Sequence, residues 1–119
     1  MKLVVRNEQM SAFSQYMVRQ YESSVMAYLH ATYPQYAQEK GASYLQSLIR
    51  SGIEKAAEYD IYVEDDVQSF IDCRIIFGED FDTNPCFAWA AAILGDTSIA
   101  GDEKARRLRK QLDQSMEVQ

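Results

Sequence analysis

Histidine, cysteine and proline are nearly missing from this chain, with one, two and two residues among 119. A lone histidine, His30, excludes metal sites built on several imidazoles and leaves a single candidate imidazole base. Its place beside Leu29 reads as a packed or surface group. Two cysteines are too few for a disulfide framework, and Cys73 and Cys86 are expected to be reduced, small core residues. No apolar run approaches 18 residues, so no membrane span is expected. The opening Met1-Lys2-Leu3-Val4-Val5-Arg6-Asn7-Glu8 has neither the apolar core nor the cleavage site of a signal peptide, and the expected location is the cytoplasm. Positive charge is also scarce. Twelve basic against 18 acidic residues give a net charge of −6, a field that repels phosphate and argues against nucleic acid as a partner.

What is present is ordinary for a globular domain: 47% apolar and 25% charged residues. Size scaling allows about two-thirds of the chain's surface to be buried, enough for a core without staples. Residues 1–119 are read as one domain, with 1–6 and 116–119 loosely ordered. Apolar residues recur at spacings of three and four from Glu8 to about Ala31, with Asn7 as N-cap and Tyr33-Pro34 as the stop. Residues 34–41 read as a connector. A second helix runs from Ala42 to Tyr59, where Gly52 lies within the apolar stripe and marks the close approach of another helix. Asp60 supplies the left-handed residue that ends it.

A third helix starts near Val63, with Glu64, Asp65 and Asp66 in its first turn, and stops at Gly78. Asn84-Pro85 opens a short apolar fourth helix to Leu94, expected to be central to the core with Trp89 largely buried. A last helix, Asp102 to Ser115, has only a narrow stripe at Ala105, Leu108 and Leu112. The expected fold is all-α, a compact single-domain bundle of about five helices.

Catalytic patterns are weak, and no cofactor or metal site is expected. Tyr36-x-x-x-Lys40 copies an oxidoreductase pair without the glycine-rich turn that chemistry needs. Asp80-Phe81-Asp82-Thr83-Asn84 has the spacing of a calcium loop, but Pro85 stands where glycine is required and Ala91 where the bidentate glutamate belongs. Asp82 and Asn84 read instead as caps for the helix at Pro85. Glu54 with Glu58, or Asp72 with Glu79 and Asp80, are acid pairings that 18 carboxylates produce by chance.

Two features read first as structure, a solvated helix face and boundary packing, and second as surfaces for a protein partner. Lys104, Arg106, Arg107, Arg109 and Lys110 place five positive charges within seven residues. Arg106, Arg107 and Arg109 are expected to be exposed, on a face distinct from the acidic Asp60–Asp66 turn. Tyr28, Tyr33 and Tyr36 cluster at the first turn, and tyrosine is enriched at interfaces.

Several phrases in order carry a resemblance: Leu3-Val4-Val5-Arg6-Asn7-Glu8-Gln9-Met10, Leu29-His30-Ala31-Thr32-Tyr33-Pro34 and Ile49-Arg50-Ser51-Gly52-Ile53-Glu54-Lys55-Ala56-Ala57-Glu58-Tyr59. Glu64-Asp65-Asp66-Val67, Phe77-Gly78-Glu79-Asp80-Phe81-Asp82 and Trp89-Ala90 complete it. As far as about Leu94, the chain resembles the small helical accessory proteins of bacterial type VI secretion and toxin-delivery loci. One departure is Asp60, where the resemblance implies glycine. It implies a non-enzymatic protein-binding module, an adaptor or chaperone for a secreted effector or spike component. The alternative is an immunity protein that neutralises a cognate toxin, for which a net −6 would suit a basic target. A small enzyme is the third and weakest expectation. Association of copies into a homodimer is left open.

Overall fold

The apolar stripes resolve into six α-helices and one 3-10 turn in a computed structural model that describes residues 12–117. The expected Asn7 cap, the start at Glu8 and the loose 1–6 segment lie outside the described residues. The first helix, α1 (Ala12–Thr32), stops where Pro34 was expected to stop it. The same proline then starts a helix: Pro34–Lys40 is α2, and not the connector expected there. Proline at a first helical position loses no hydrogen bond, since its N–H would be unpaired in any case. Ala37 buries that short helix, and Gly41, at φ +85°, turns the chain into α3 (Ala42–Glu58).

Helix α3 buries Leu45, Leu48, Ile49, Ile53 and Ala56, the stripe read from the sequence. Gly52 is a contact point between helices, because a Cβ there would lie 2.9 Å from Ile71 Cγ1 of the next helix. The end of α3 is a Schellman cap. Asp60 N–H donates to the Ala57 carbonyl and Ile61 N–H to that of Ala56, with Asp60 at φ +66° and Ile61 buried behind it.

Helix α4 (Glu64–Phe77) is the axis of the molecule, packed between α3 and α6. It buries seven consecutive or near-consecutive positions, Val67 and Ser69 to Arg74, so it turns almost no face to water in its middle turns. That role was expected of the Pro85–Leu94 segment, which instead lies at an edge. The segment is a 3-10 turn, Pro85–Phe87, followed by α5 (Ala88–Leu94), which buries only Ala90 and Leu94. Alanine is small enough to face water at little cost, and Ala88, Ala91 and Ala92 do so. Trp89 is half-buried, with Phe77 at 5.2 Å and Phe87 at 6.2 Å between ring centroids. Asn84 caps the turn as expected, accepting from Cys86 N–H at 2.9 Å. Asp82 does not; it is buried and accepts from Tyr59 Oη at 2.7 Å. Cys73 is buried as expected, but Cys86 is exposed, because the turn carries it outward.

The last helix, α6 (Gly101–Glu117), sits far deeper than its three-residue stripe suggested, with Ala105, Leu108 and Leu112 each at most 1% exposed. Residues 116 and 117 continue the helix, and 118–119 of the segment expected to be loosely ordered lie outside the described residues. Gly101 permits this depth, since a Cβ on it would lie 1.8 Å from the Asp60 carbonyl oxygen. No described helix is long and apolar enough to cross a membrane.

Candidate functional site

Asp72 is the only acid in the stretch Phe70-Ile71-Asp72-Cys73, on the most buried face of α4, and it is fully enclosed. A carboxylate there must find partners or lose most of its charge stabilisation. Four side chains supply them. Its Oδ1 accepts from Gln68 Nε2 at 3.1 Å and Tyr33 Oη at 3.2 Å. Its Oδ2 accepts from Arg109 Nη2 at 2.7 Å and Tyr28 Oη at 3.3 Å. Gln68 lies one turn back on α4, Tyr28 on α1, Tyr33 at the α1–α2 joint and Arg109 on α6. Each oxygen thus accepts two bonds, close to the capacity of an ionised carboxylate.

The electrostatics follow from that enclosure. Burial, then the Asp72 charge, push the Tyr28 and Tyr33 phenols above their ordinary range, so both remain hydrogen-bond donors. Burial alone would lower the Arg109 value, but the hydrogen bond and charge of Asp72, with smaller contributions from Tyr28 and Asp113, together offset it and the net shift is upward. The Tyr28 and Tyr33 rings meet edge to face, 6.3 Å between centroids.

Above this network lies an open groove of about 640 Å³ between α4 and α6, lined in part by Tyr28, Asp65, Asp66, Asp102, Arg106 and Arg109. Three of the six sequence-selected residues, Tyr28, Tyr33 and Arg109, therefore converge on one carboxylate, and Arg106 joins two of them at the groove. Arg107 is exposed nearby and pairs with Glu103 at 2.9 Å. Tyr36 stands apart on α2, where Lys40 Nζ lies over its ring and that of Tyr44, 5.8 and 5.2 Å from the centroids.

Two expectations about the basic strip need correction. Arg106 and Arg107 are exposed, but Arg109 is only 38% exposed, because Asp72 draws it inward. Lys104 is buried, its Nζ donating to the Tyr59 carbonyl at 3.2 Å. The strip is also not on a separate face from the acidic turn, because α6 packs directly along α4 and sets Arg106 and Arg109 against Asp65 and Asp66. The residue that organises the site, Asp72, was weighed only as a chance acid pair. Its signal was a single acid inside the apolar run Phe70-Ile71-Asp72-Cys73, one turn after Gln68.

Elsewhere the described residues hold fewer features. Among them, no group of three His, Cys, Asp or Glu residues is placed to hold a metal ion. A smaller groove of about 320 Å³ between α1 and α3 is crossed by the Glu22–Arg50 ion pair at 3.0 Å. No family model matches the chain, and the searches of curated proteins and of solved structures return no significant match.

Proposed function

We propose that the chain is a protein-binding module, an adaptor or chaperone that holds a secreted effector or spike component in the cytoplasm before delivery. The observation that carries this reading is the open α4–α6 groove, with charges of both signs at its rim and a braced floor. Arg106 reaches water with 76% of its side chain exposed, while Tyr28 and Arg109 below are held by Asp72. Holding the floor in place in the free protein reduces the ordering cost of docking. The type VI resemblance supplies the class of partner.

The test is affinity capture of the tagged chain from cells that express its neighbouring effector and spike genes, followed by deletion of its gene. Stoichiometric capture of one such product, with its secretion reduced on deletion, is the expected result. A chain that captures none of them and leaves secretion unchanged overturns the proposal. The net charge of −6 favours a second reading, an immunity protein steered electrostatically to a basic toxin. Rescue of cells from a co-expressed toxin, with secretion unaffected, would establish that reading in place of the first.

A further inference from the structure

Asp72 shows what a buried charge in this protein can receive: its cation, Arg109, lies 2.7 Å away and each carboxylate oxygen accepts two bonds. Arg74 receives much less. It lies two residues further along α4, on nearly the opposite side of the helix, with only 8% of its side chain exposed. Its Nη1 donates to Ser51 Oγ of α3 at 2.9 Å. Its Nε is buried and has no acceptor among the described residues. The carboxylate oxygen paired with Nη2, Glu79 Oε1, is 3.8 Å away, beyond the reach of a hydrogen bond. The last turn of α4 suits a cation, but the helix dipole supplies no acceptor for Nε. A guanidinium carries five N–H donors in a planar fork, and its strong bonds to oxyanions are about 2.7–2.9 Å long.

Glu79 is a loose occupant of this position. It follows Gly78, at φ +110°, outside the helix, and 47% of its side chain is exposed. Two tyrosines stand beside it. Burial first, then hydrogen bonding to Glu79 and Tyr36, raises the Tyr44 phenol, which therefore stays a donor. The Tyr36 phenol is raised chiefly by burial and senses both the Glu79 and the Arg74 charge. Lys40 Nζ lies over both rings. With Glu79 swung into solvent, this corner between α2, α3 and α4 would present Arg74, Lys40 and two phenols.

We propose that this corner binds an acidic side chain of the protein partner, an aspartate or glutamate that displaces Glu79 and pairs with Nε and Nη2 of Arg74. The inference rests on the protein-binding reading above and adds a contact on the side of α4 away from Asp72. Glu79 marks the chemistry, since it is itself such a side chain and already faces Arg74. A planar carboxylate matches the Nε–Nη2 edge of the fork with two parallel bonds. Polyanions such as nucleic acid fit the chain poorly, because its net charge of −6 repels them.

Acetate is the probe and inorganic phosphate the comparison, read by the Nε–H NMR signal of Arg74 in the full chain, isotope-labelled on arginine. Glu79→Ala removes the internal competitor. If Glu79 fills the position about nine-tenths of the time, its removal strengthens acetate binding about tenfold at constant ionic strength. The expected result is a saturable shift confined to Arg74, with a midpoint about tenfold lower in Glu79→Ala than in the unaltered chain. An equal midpoint in both forms, similar shifts at every arginine, tighter binding of phosphate than of acetate, or no shift at all overturns the inference. In the affinity capture, Arg74→Met should release the partner and Glu79→Ala should retain it. Should the methionine variant not fold, Arg74→Lys keeps the charge without the fork and takes its place. A partner held equally well by the Arg74 variant sinks this inference and leaves the adaptor reading standing. No capture by any form sinks the adaptor reading, and the acetate titration then decides the site on its own.

Discussion

At Asp72 one buried negative charge is held by four donors from three helices and a joint. Removing the cation should expose how much of the fold depends on that pairing. Arg109→Met leaves a fully buried carboxylate without its counter-charge and should cost about 2–3 kcal/mol in urea denaturation. The figure sits below that of a sealed pair because water can reach the half-exposed arginine position. Adding Asp72→Asn should recover part of the loss, a non-additivity that a double-mutant cycle reads directly. Additive losses would show that the two groups are not coupled.

The tyrosines set an alkaline limit. Tyr21, Tyr33 and Tyr59 are all raised above the usual phenol value, by burial first and then by Glu64, Asp72 and Asp82 respectively. A raised native value means that folding favours the protonated phenol. The stability they contribute is complete below about pH 10, where the unfolded phenols begin to ionise, and is lost as pH rises toward the native values. The urea midpoint should therefore fall above about pH 10, and Tyr33→Phe with Tyr59→Phe should make that fall shallower. A midpoint that does not move up to pH 11 would contradict this.

At the scale of elements, α6 depends on a missing side chain. Gly101→Ala would place a methyl group 1.8 Å from the Asp60 carbonyl oxygen. Either α6 shifts or the α3 cap breaks, at about 3 kcal/mol, visible as a lowered Tm. Asp60→Gly should act the other way. It removes the strain of a non-glycine residue at φ +66°, and the gain of about 0.5 kcal/mol is the balance of that relief against greater freedom of the unfolded chain.

These two positions also show what the sequence could and could not disclose. The stripe of α3, the bounds of α4, the Asn84 cap and the Asp60 turn were legible, because each is fixed by residues within a few places in the chain. Helix α2 was missed because Pro34 both ends one helix and begins the next, and only the first role was considered. The depth of α6 was illegible, because it depends on Gly101 meeting a carbonyl some 40 residues away. The site had the same limit. Tyr28, Tyr33 and Arg109 stood out individually, but their meeting at Asp72 joins positions separated by 44, 39 and 37 residues, which no local pattern encodes.

Over the whole molecule, the contacts that link distant parts of the chain are concentrated on α4. Helices α3 and α6 flank it, and the Asp72 donors tie it to α1, while α5 packs chiefly on α6 with Ala88, Ala91 and Ala92 turned to water. This unevenness has a consequence in time. Amide protons in the middle of α4 should exchange with solvent only when the entire domain opens, because releasing that helix means parting it from every layer around it. Those of α5 should exchange orders of magnitude sooner, through a local opening that leaves α4 closed. Native-state hydrogen exchange measured residue by residue would read the difference, and equal protection of the two helices would show that the edge and the axis breathe as one unit.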